Sequence, residues 1–254
     1  MEDAVVRKAE GWQSPALNLT VATLANDSPV KAEAGVPIQG ITLSPTLAAP
    51  GRLRKLTLLG AGVRKVRHPD GPELKVTVLG IYSDLDVVKY LSKYRGQSAE
   101  QLLTDQQFLY QFLEAPVDIV ARVVFLLPMS GEEYARKAGN NTEKDLKMMN
   151  KWGGMEELAL QEFRRYFKTI NCFIGSSIYF TLTRTGFEIS QSLDSSVPSA
   201  TECAVKSAVF GQALVGTMLG INGVSPQLRA SFGKKMAALL QAPAAIIQRS
   251  QQLQ

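Results

Sequence analysis

The first clear pattern along the chain is a set of three short runs in which apolar and polar residues alternate. Each run is rich in valine, leucine or isoleucine, and together they cover residues 53–60 (LRKLTLLG), 62–68 (GVRKVRH) and 73–82 (ELKVTVLGIY). Gly60 and Gly62 separate the first two runs, and the sequence PDGP at 69–72 is typical of a tight turn. The pattern predicts three antiparallel strands.

Helical spacing of apolar residues follows the third strand. The segment 83–94 (SDLDVVKYLSKY) predicts one helix. Ser98 and Gln101 form the capping-box pattern of a second helix, which Pro116 ends. Residues 121–128 (ARVVFLLP) then have the continuous apolar character of a buried strand.

The second half of the chain continues with helices and one hairpin. A long helix begins after Ser130, which has Glu133 three residues later, and another helix is predicted over 155–167. The side chains of this second helix that we expect to face inward are Leu158, Phe163 and Phe167. Two strands flank residues 184–186 (RTG) and predict a hairpin.

Two more helices near 200–218 and 226–241 close the chain, the second capped by Ser225 ahead of Pro226. The order of strands, helices, hairpin and helices is typical of an α+β domain, in which an antiparallel sheet is covered on one face by a layer of helices. Residues 1–36 have little periodicity, so we expect a flexible N-terminal extension followed by one domain over 37–254.

Composition narrows the classes of function. With 45% hydrophobic and 20% charged residues, the chain is typical of a globular protein, and it has no apolar run of the roughly 20 residues that cross a bilayer. The net charge of +5 comes from basic residues spread among acidic ones, which favours a small anionic ligand over nucleic acid. The absence of a secretory signal and the presence of only two cysteines predict a cytoplasmic protein, or a plastid protein whose transit peptide is missing.

The common catalytic and cofactor motifs are absent. Gly60-Ala61-Gly62 lacks the third glycine of a dinucleotide-binding loop and has strands on both sides. His68 is the only histidine, so neither a metal site nor a histidine-dependent nucleophile is expected. We therefore predict no metal and no cofactor.

A few polar residues in apolar surroundings remain as candidates for a ligand site. The turn at 69–72 makes two strands neighbours, so Arg64 and Thr77 could project into one cleft. Tyr134 and Asn141 are seven residues apart on one predicted helix, which puts them on the same face about 10 Å apart. Considered one at a time, each of these residues could instead be a surface charge or a polar group at the edge of the core, with no role in ligand binding.

Five blocks of sequence, in order over roughly 39–241, resemble plant chalcone isomerase (chalcone–flavanone isomerase). They are GITLSPTLAAPG, LTLLGAGVRKV, ELKVTVLGIY, FLLPMSGEEYARKAGNN and LVGTMLGINGVSPQLRASFGKKMAALL. The resemblance implies an open-faced β-sandwich. It also implies five pocket residues: the arginine of the family's G-A-G-x-R motif, the strand threonine, the tyrosine and asparagine of one helix, and a threonine upstream of V-S-P. These fall on Arg64, Thr77, Tyr134, Asn141 and Thr217.

The resemblance further implies an intramolecular ring closure in flavonoid biosynthesis, in which a chalcone becomes a flavanone. Arg64 would bind the attacking phenolate, and Thr77 and Tyr134 would stabilise charge on the ketone as the other catalytic residues. Asn141 and Thr217 would bind and position the distal ring of the substrate. No metal, cofactor, nucleic acid or membrane insertion is implied, and we expect a monomer.

Other proteins of this fold bind fatty acids in plastids without catalysis, and others assist flavonoid synthesis. In the fatty-acid binders, an arginine stands at the position of Arg64 but a tyrosine tends to stand at that of Thr77 and a bulky residue at that of Thr217. The combination in this chain favours the isomerase, and a non-catalytic fatty-acid-binding protein is the alternative.

Overall fold

The computed structural model describes residues 35–67 and 71–243 of the chain. Its strands are β1 (Val36–Ile38), β2 (Ile41–Leu43), β3 (Thr46–Ala48), β4 (Lys55–Arg67), β5 (Glu73–Ser83), β6 (Ile119–Phe125), β7 (Met129–Ser130), β8 (Asn171–Cys172), β9 (Ser177–Leu182), β10 (Phe187–Ser192) and β11 (Cys203–Val205). Its α-helices are α1 (Val87–Tyr90), α2 (Ala99–Thr104), α3 (Gln106–Glu114), α4 (Gly131–Met148), α5 (Gly154–Phe167), α6 (Ala208–Leu219) and α7 (Pro226–Gln241), and a 3₁₀ turn covers Ser92–Tyr94.

Seven strands form one antiparallel sheet in the order β11-β10-β9-β6-β5-β4-β3. One face packs on the helices through a large apolar core that includes Leu79 and Ile81 of β5 and Phe180 of β9. The other face has a smaller core, where Ile38 and Leu43 of the β1–β2 hairpin cover the sheet. The predicted α+β class and the helical layer on one face are confirmed, and the arrangement is consistent with an open-faced β-sandwich.

The runs at 53–60 and 62–68 were predicted as separate strands, and this prediction is wrong because β4 is continuous from Lys55 to Arg67. Gly60 and Gly62 make room for α7 on top of the strand. A Cβ atom at Gly62 would lie 2.2 Å from the backbone nitrogen of Leu228, and one at Gly60 would lie 2.8 Å from the Cβ of Phe232. The two glycines therefore serve close packing of a helix on a strand rather than a turn.

Side chains of α7 also complete the hydrogen bonding of β4, whose outer edge is paired with β3 only at Lys55–Thr57. Ser231 Oγ accepts a hydrogen bond from Ala61 N at 3.2 Å, and Gln227 Oε1 accepts one from Val63 N at 3.1 Å. Ser225 Oγ donates to Val63 O at 2.8 Å. Because an unpaired strand edge leaves backbone groups unsatisfied, these contacts hold rigidly the part of β4 that leads into Arg64.

Two helix boundaries and the orientation of one side chain also differ from the sequence predictions. The helix expected from Ser98 to Pro116 is broken at Asp105, whose carboxylate accepts a hydrogen bond from Gln107 N and so begins α3. Leu158 on α5 is 61% exposed, although Phe163 and Phe167 are buried as predicted. The helix expected from residue 200 begins only at Ala208, because residues 203–205 pair with β10 as strand β11.

The predicted helix starts at Ser98, Ser130 and Ser225 are confirmed by hydrogen bonds from backbone N–H groups to the three serine side chains. The N-terminal extension predicted over 1–36 lies outside the described residues up to residue 34, and Val36 already belongs to β1. His68 is also outside the described residues. In the part of the chain that the structure describes, every helix is too short or too polar to cross a membrane.

Candidate functional site

Arg64 and Thr77 are direct partners across the antiparallel pair β4–β5, which puts their side chains on the same face of the sheet. This is the face that packs on the helices, since Thr77 alternates with Leu79 and Ile81. Arg64 is half-buried, and the register shifts immediately after it. The sequence predicted this neighbourhood from the turn alone.

The hydroxyl of Thr77 is an unusual group for this position. The residue is 1% exposed, and within the described part of the chain its Oγ1 has no hydrogen-bond partner. A buried hydroxyl without a partner costs about 1–3 kcal/mol, so proteins rarely keep one without a reason. The unsatisfied hydroxyl of Thr77 is available to a ligand or a water molecule.

Tyr134 approaches the same region from α4. The first turn of α4 is capped by Ser130 and packs closely on the end of α5, because Gly131 has no Cβ: one built there would lie 2.1 Å from Phe167 O. The ring of Tyr134 packs edge-on against Phe125 with a centroid distance of 5.4 Å. Phe125 is in turn the partner of Thr77 on β6, so it connects the two residues.

The environment of Tyr134 sets its protonation state. Burial raises the pKa of the phenol well above its ordinary value, and the positive charge of Arg64 acts in the opposite direction. Tyr134 is therefore a neutral hydrogen-bond donor at physiological pH.

Asn141 lies about two turns beyond Tyr134 on α4, and Thr217 lies on a different helix, α6. Asn141 is exposed, although it lies within about 20° of Tyr134 around the axis of α4. Thr217 is half-buried on α6, and its hydroxyl donates to Leu214 O of its own helix at 2.7 Å. The structure thus brings Arg64, Thr77 and Tyr134 together around Phe125, whereas Asn141 is exposed and Thr217 is half-buried on another helix.

A cavity of about 410 Å³ is lined by Thr217 and lies between the ends of α4 and α6 and the short helices α2 and α3. Its walls are mainly apolar, with Leu109, Leu113 and Met149 among them. Asp145 also lines it, one turn beyond Asn141 on the same face of α4, and burial raises the pKa of this carboxyl. The sequence did not predict this cavity, because it depends on how four helices meet.

The sequence analysis also did not identify Phe125 as a residue of the site. Its strand was predicted, but its place opposite Thr77 depends on the pairing of β5 with β6. The alternation of side chains along β6 could have put it on the helix-facing side, but only the register makes it a neighbour of Thr77.

The side chains of this group restrict the class of ligand that the site can bind. A permanently charged guanidinium and two neutral hydroxyls lie among aromatic and aliphatic side chains, so the site suits an apolar ligand with one anionic oxygen and one carbonyl. Among the described residues, no group of three or more His, Cys, Asp or Glu side chains is arranged to hold a metal ion.

Comparison with a solved structure supports the fold. A fatty-acid binding protein of Arabidopsis thaliana superposes with a TM-score of 0.67 at 20% sequence identity, over 82% of this chain and 99% of that one. At this level of identity the likeness concerns the fold alone.

Comparisons of sequence are more specific. The family model described as chalcone-flavanone isomerase matches residues 38–239. A chalcone–flavanone isomerase of Ipomoea batatas is 30% identical over 81% of this chain and 85% of its own length. One of Pyrus communis is 30% identical over 84% of this chain and 98% of its own length. The chain therefore belongs to the chalcone-flavanone isomerase family.

Proposed function

We propose that this protein catalyses the ring closure of 2′-hydroxychalcones to flavanones, a step of flavonoid biosynthesis. The observation that carries the proposal is the buried hydroxyl of Thr77, which has no hydrogen-bond partner among the described residues and lies directly across the sheet from Arg64. Membership of the family and the relatives named as chalcone–flavanone isomerases support the same activity.

Arg64 acts on the nucleophile. The reaction requires the 2′-phenol in its ionised form, and a half-buried guanidinium favours the phenolate by direct charge pairing. The phenolate oxygen then forms a bond to the β-carbon of the enone while the electrons of the double bond move to the ketone oxygen. Holding the oxygen and the carbon in one molecule at close range removes much of the entropic barrier.

Thr77 and Tyr134 act on the ketone. As ring closure proceeds, negative charge collects on the ketone oxygen, and donors aimed at it lower the barrier. The high pKa of Tyr134 keeps its phenol protonated, so it can donate a hydrogen bond, directly or through water. Water then protonates the α-carbon of the enolate, and the hydroxide that remains takes up the proton lost from the phenol.

Asn141 and Thr217 are assigned the distal end of the substrate. Asn141 lies about two turns beyond Tyr134 on α4, and Thr217 lies on α6. The hydroxyl of Thr217 already donates to its own helix, so it would accept a hydrogen bond from a substrate hydroxyl rather than donate one.

The decisive experiment follows the loss of chalcone absorbance when the purified chain is mixed with a 2′-hydroxychalcone. We expect turnover above the spontaneous rate, and a loss of about 10²-fold or more in Arg64→Ala. Arg67→Ala is the matched control, because it removes an exposed arginine from the same strand and should leave turnover unchanged. Wild-type turnover no faster than the uncatalysed reaction would refute the proposal.

Fatty-acid binding is the second candidate, and the apolar cavity of about 410 Å³ near Thr217 is the observation that favours it. An acyl chain would occupy this cavity, against apolar walls that include Leu109, Leu113 and Met149. Native mass spectrometry of the freshly purified protein tests this function: a retained acyl chain together with absent chalcone turnover would establish the binder and exclude the enzyme.

A further inference from the structure

One end of the seven-stranded sheet exposes a group of large apolar side chains, which we name the apolar rim. Each is between 36% and 67% exposed, and none belongs to the catalytic group described above. The members of the apolar rim are Val66, Leu74, Leu127, Phe173 and Ile174. Contiguous exposed apolar surface on a globular protein commonly marks an interaction site.

The hairpin of β4 and β5 supplies the first part of the rim. Val66 and Leu74 are direct partners in this pair, so their side chains lie next to each other. The chain after β6 runs beside them, since Leu126 N donates a hydrogen bond to Val76 O at 2.9 Å. Leu127 therefore follows at the same end of the sheet.

The turn between β8 and β9 supplies the rest. Gly175 N donates to Phe125 O at 2.8 Å, which ties this turn to the end of β6. Ser176 Oγ closes the turn by accepting from Phe173 N at 2.9 Å. Phe173 and Ile174, 55% and 67% exposed, thus protrude on a rigid turn instead of lying on a loose loop.

Basic residues flank the rim on the hairpin. Lys65 and Lys75 are direct partners, although like charges opposite each other weaken a sheet. Glu73 binds Lys65 at 2.7 Å, and Arg67 is exposed beside them. The described hairpin residues 65–67 and 71–75 therefore carry three basic side chains and one acidic side chain. Glu73 offsets one of these charges, and the remaining positive charge beside exposed Val66 suits an anionic partner.

We propose that the apolar rim docks on an anionic phospholipid surface. Protruding aromatic and aliphatic side chains would enter the boundary between headgroups and acyl chains, and the flanking lysines and arginine would contact the phosphates. A hairpin and a short turn that project from one end of a sheet can enter the headgroup region of a bilayer without a change in the rest of the fold. Arg64 directly precedes Lys65 of the hairpin. An apolar ligand that leaves the bilayer would therefore meet the candidate site at the same end of the sheet.

Vesicle sedimentation with the full chain tests the proposal, using phosphatidylcholine alone or mixed with phosphatidylserine. We expect binding to the mixed vesicles that weakens with salt, and little binding to phosphatidylcholine alone. The double variant Phe173→Ser/Ile174→Ser should bind at least about tenfold more weakly, because two apolar side chains no longer leave water. Leu53→Ser is the matched control: Leu53 is 98% exposed just before the opposite end of β4, and its loss should leave binding unchanged.

Circular dichroism and thermal melting establish that each variant is folded before binding is compared. The proposal is overturned if the wild-type chain does not bind mixed vesicles, or if the double variant binds as well as the wild type. It is also overturned if light scattering shows self-association that the double variant abolishes, since the rim would then be a protein interface. Chalcone turnover in solution is a separate measurement, so its presence or absence does not affect this result.

Discussion

Replacing Thr77 with valine should make the fold more stable and at the same time lower the rate of chalcone turnover. Valine has nearly the same shape as threonine but no hydroxyl, and the hydroxyl of Thr77 is buried without a partner in the described structure. Leaving such a group unsatisfied costs about 1–3 kcal/mol. We therefore expect Thr77→Val to raise the free energy of unfolding by about 1–2 kcal/mol, and the melting temperature by roughly 2–8 °C.

The same substitution should lower chalcone turnover at least about tenfold, because a donor for the ketone oxygen is lost. Thr142→Val is the matched control for stability, since Thr142 is equally buried but its hydroxyl donates to Ala138 O at 2.9 Å. That variant loses a made hydrogen bond and should not gain stability. Urea unfolding and the absorbance assay measure both effects. A Thr77→Val protein that is less stable than the wild type, or equally active, would refute the reasoning.

Two other predictions concern the packing of β4 and the ionisation of Tyr134. Gly62→Ala should lower the free energy of unfolding by about 1–3 kcal/mol or more, because the new Cβ would meet the backbone of Leu228 at 2.2 Å. Urea unfolding measures this loss. Gly216→Ala is the control, because a Cβ at Gly216 would only make a 3.7 Å contact with Leu113. Tyr134→Phe should lower turnover by a constant factor between about pH 6 and 9, since the raised pKa keeps the phenol protonated throughout. A pH profile that changes shape in this variant would contradict that assignment.

The effect of Tyr134 on stability has a definite sign. Because burial raises the pKa of this phenol above its value in the unfolded chain, the folded state is favoured fully below about pH 10 and loses stability as the pH rises further. Tyr134→Phe should therefore withstand alkaline unfolding, followed by circular dichroism, better than the wild type. Equal alkaline midpoints for the two proteins would show that this phenol does not ionise on unfolding.

Local features were predictable because short stretches of chain determine them. The serine caps at Ser98, Ser130 and Ser225 follow from hydrogen bonds within a single turn of helix. The turn at 69–72 likewise predicted that β4 and β5 are neighbours. Where the sequence predictions failed, a partner distant in the chain was responsible: Gly60 and Gly62 were interpreted as a break, yet they lie beneath α7, more than 160 residues away.

The sequence by itself determined the family, the order of most strands and helices, and the chemical character of Arg64, Thr77 and Tyr134. Only the tertiary structure decided that Thr77 is buried with a hydroxyl that no described residue pairs with, that Phe125 connects Thr77 to Tyr134, and that Asn141 is exposed. The physical reason is that hydrogen-bond satisfaction and burial depend on strand register and on helices that pack from remote parts of the chain. Neither quantity is a property of a residue and its sequence neighbours alone.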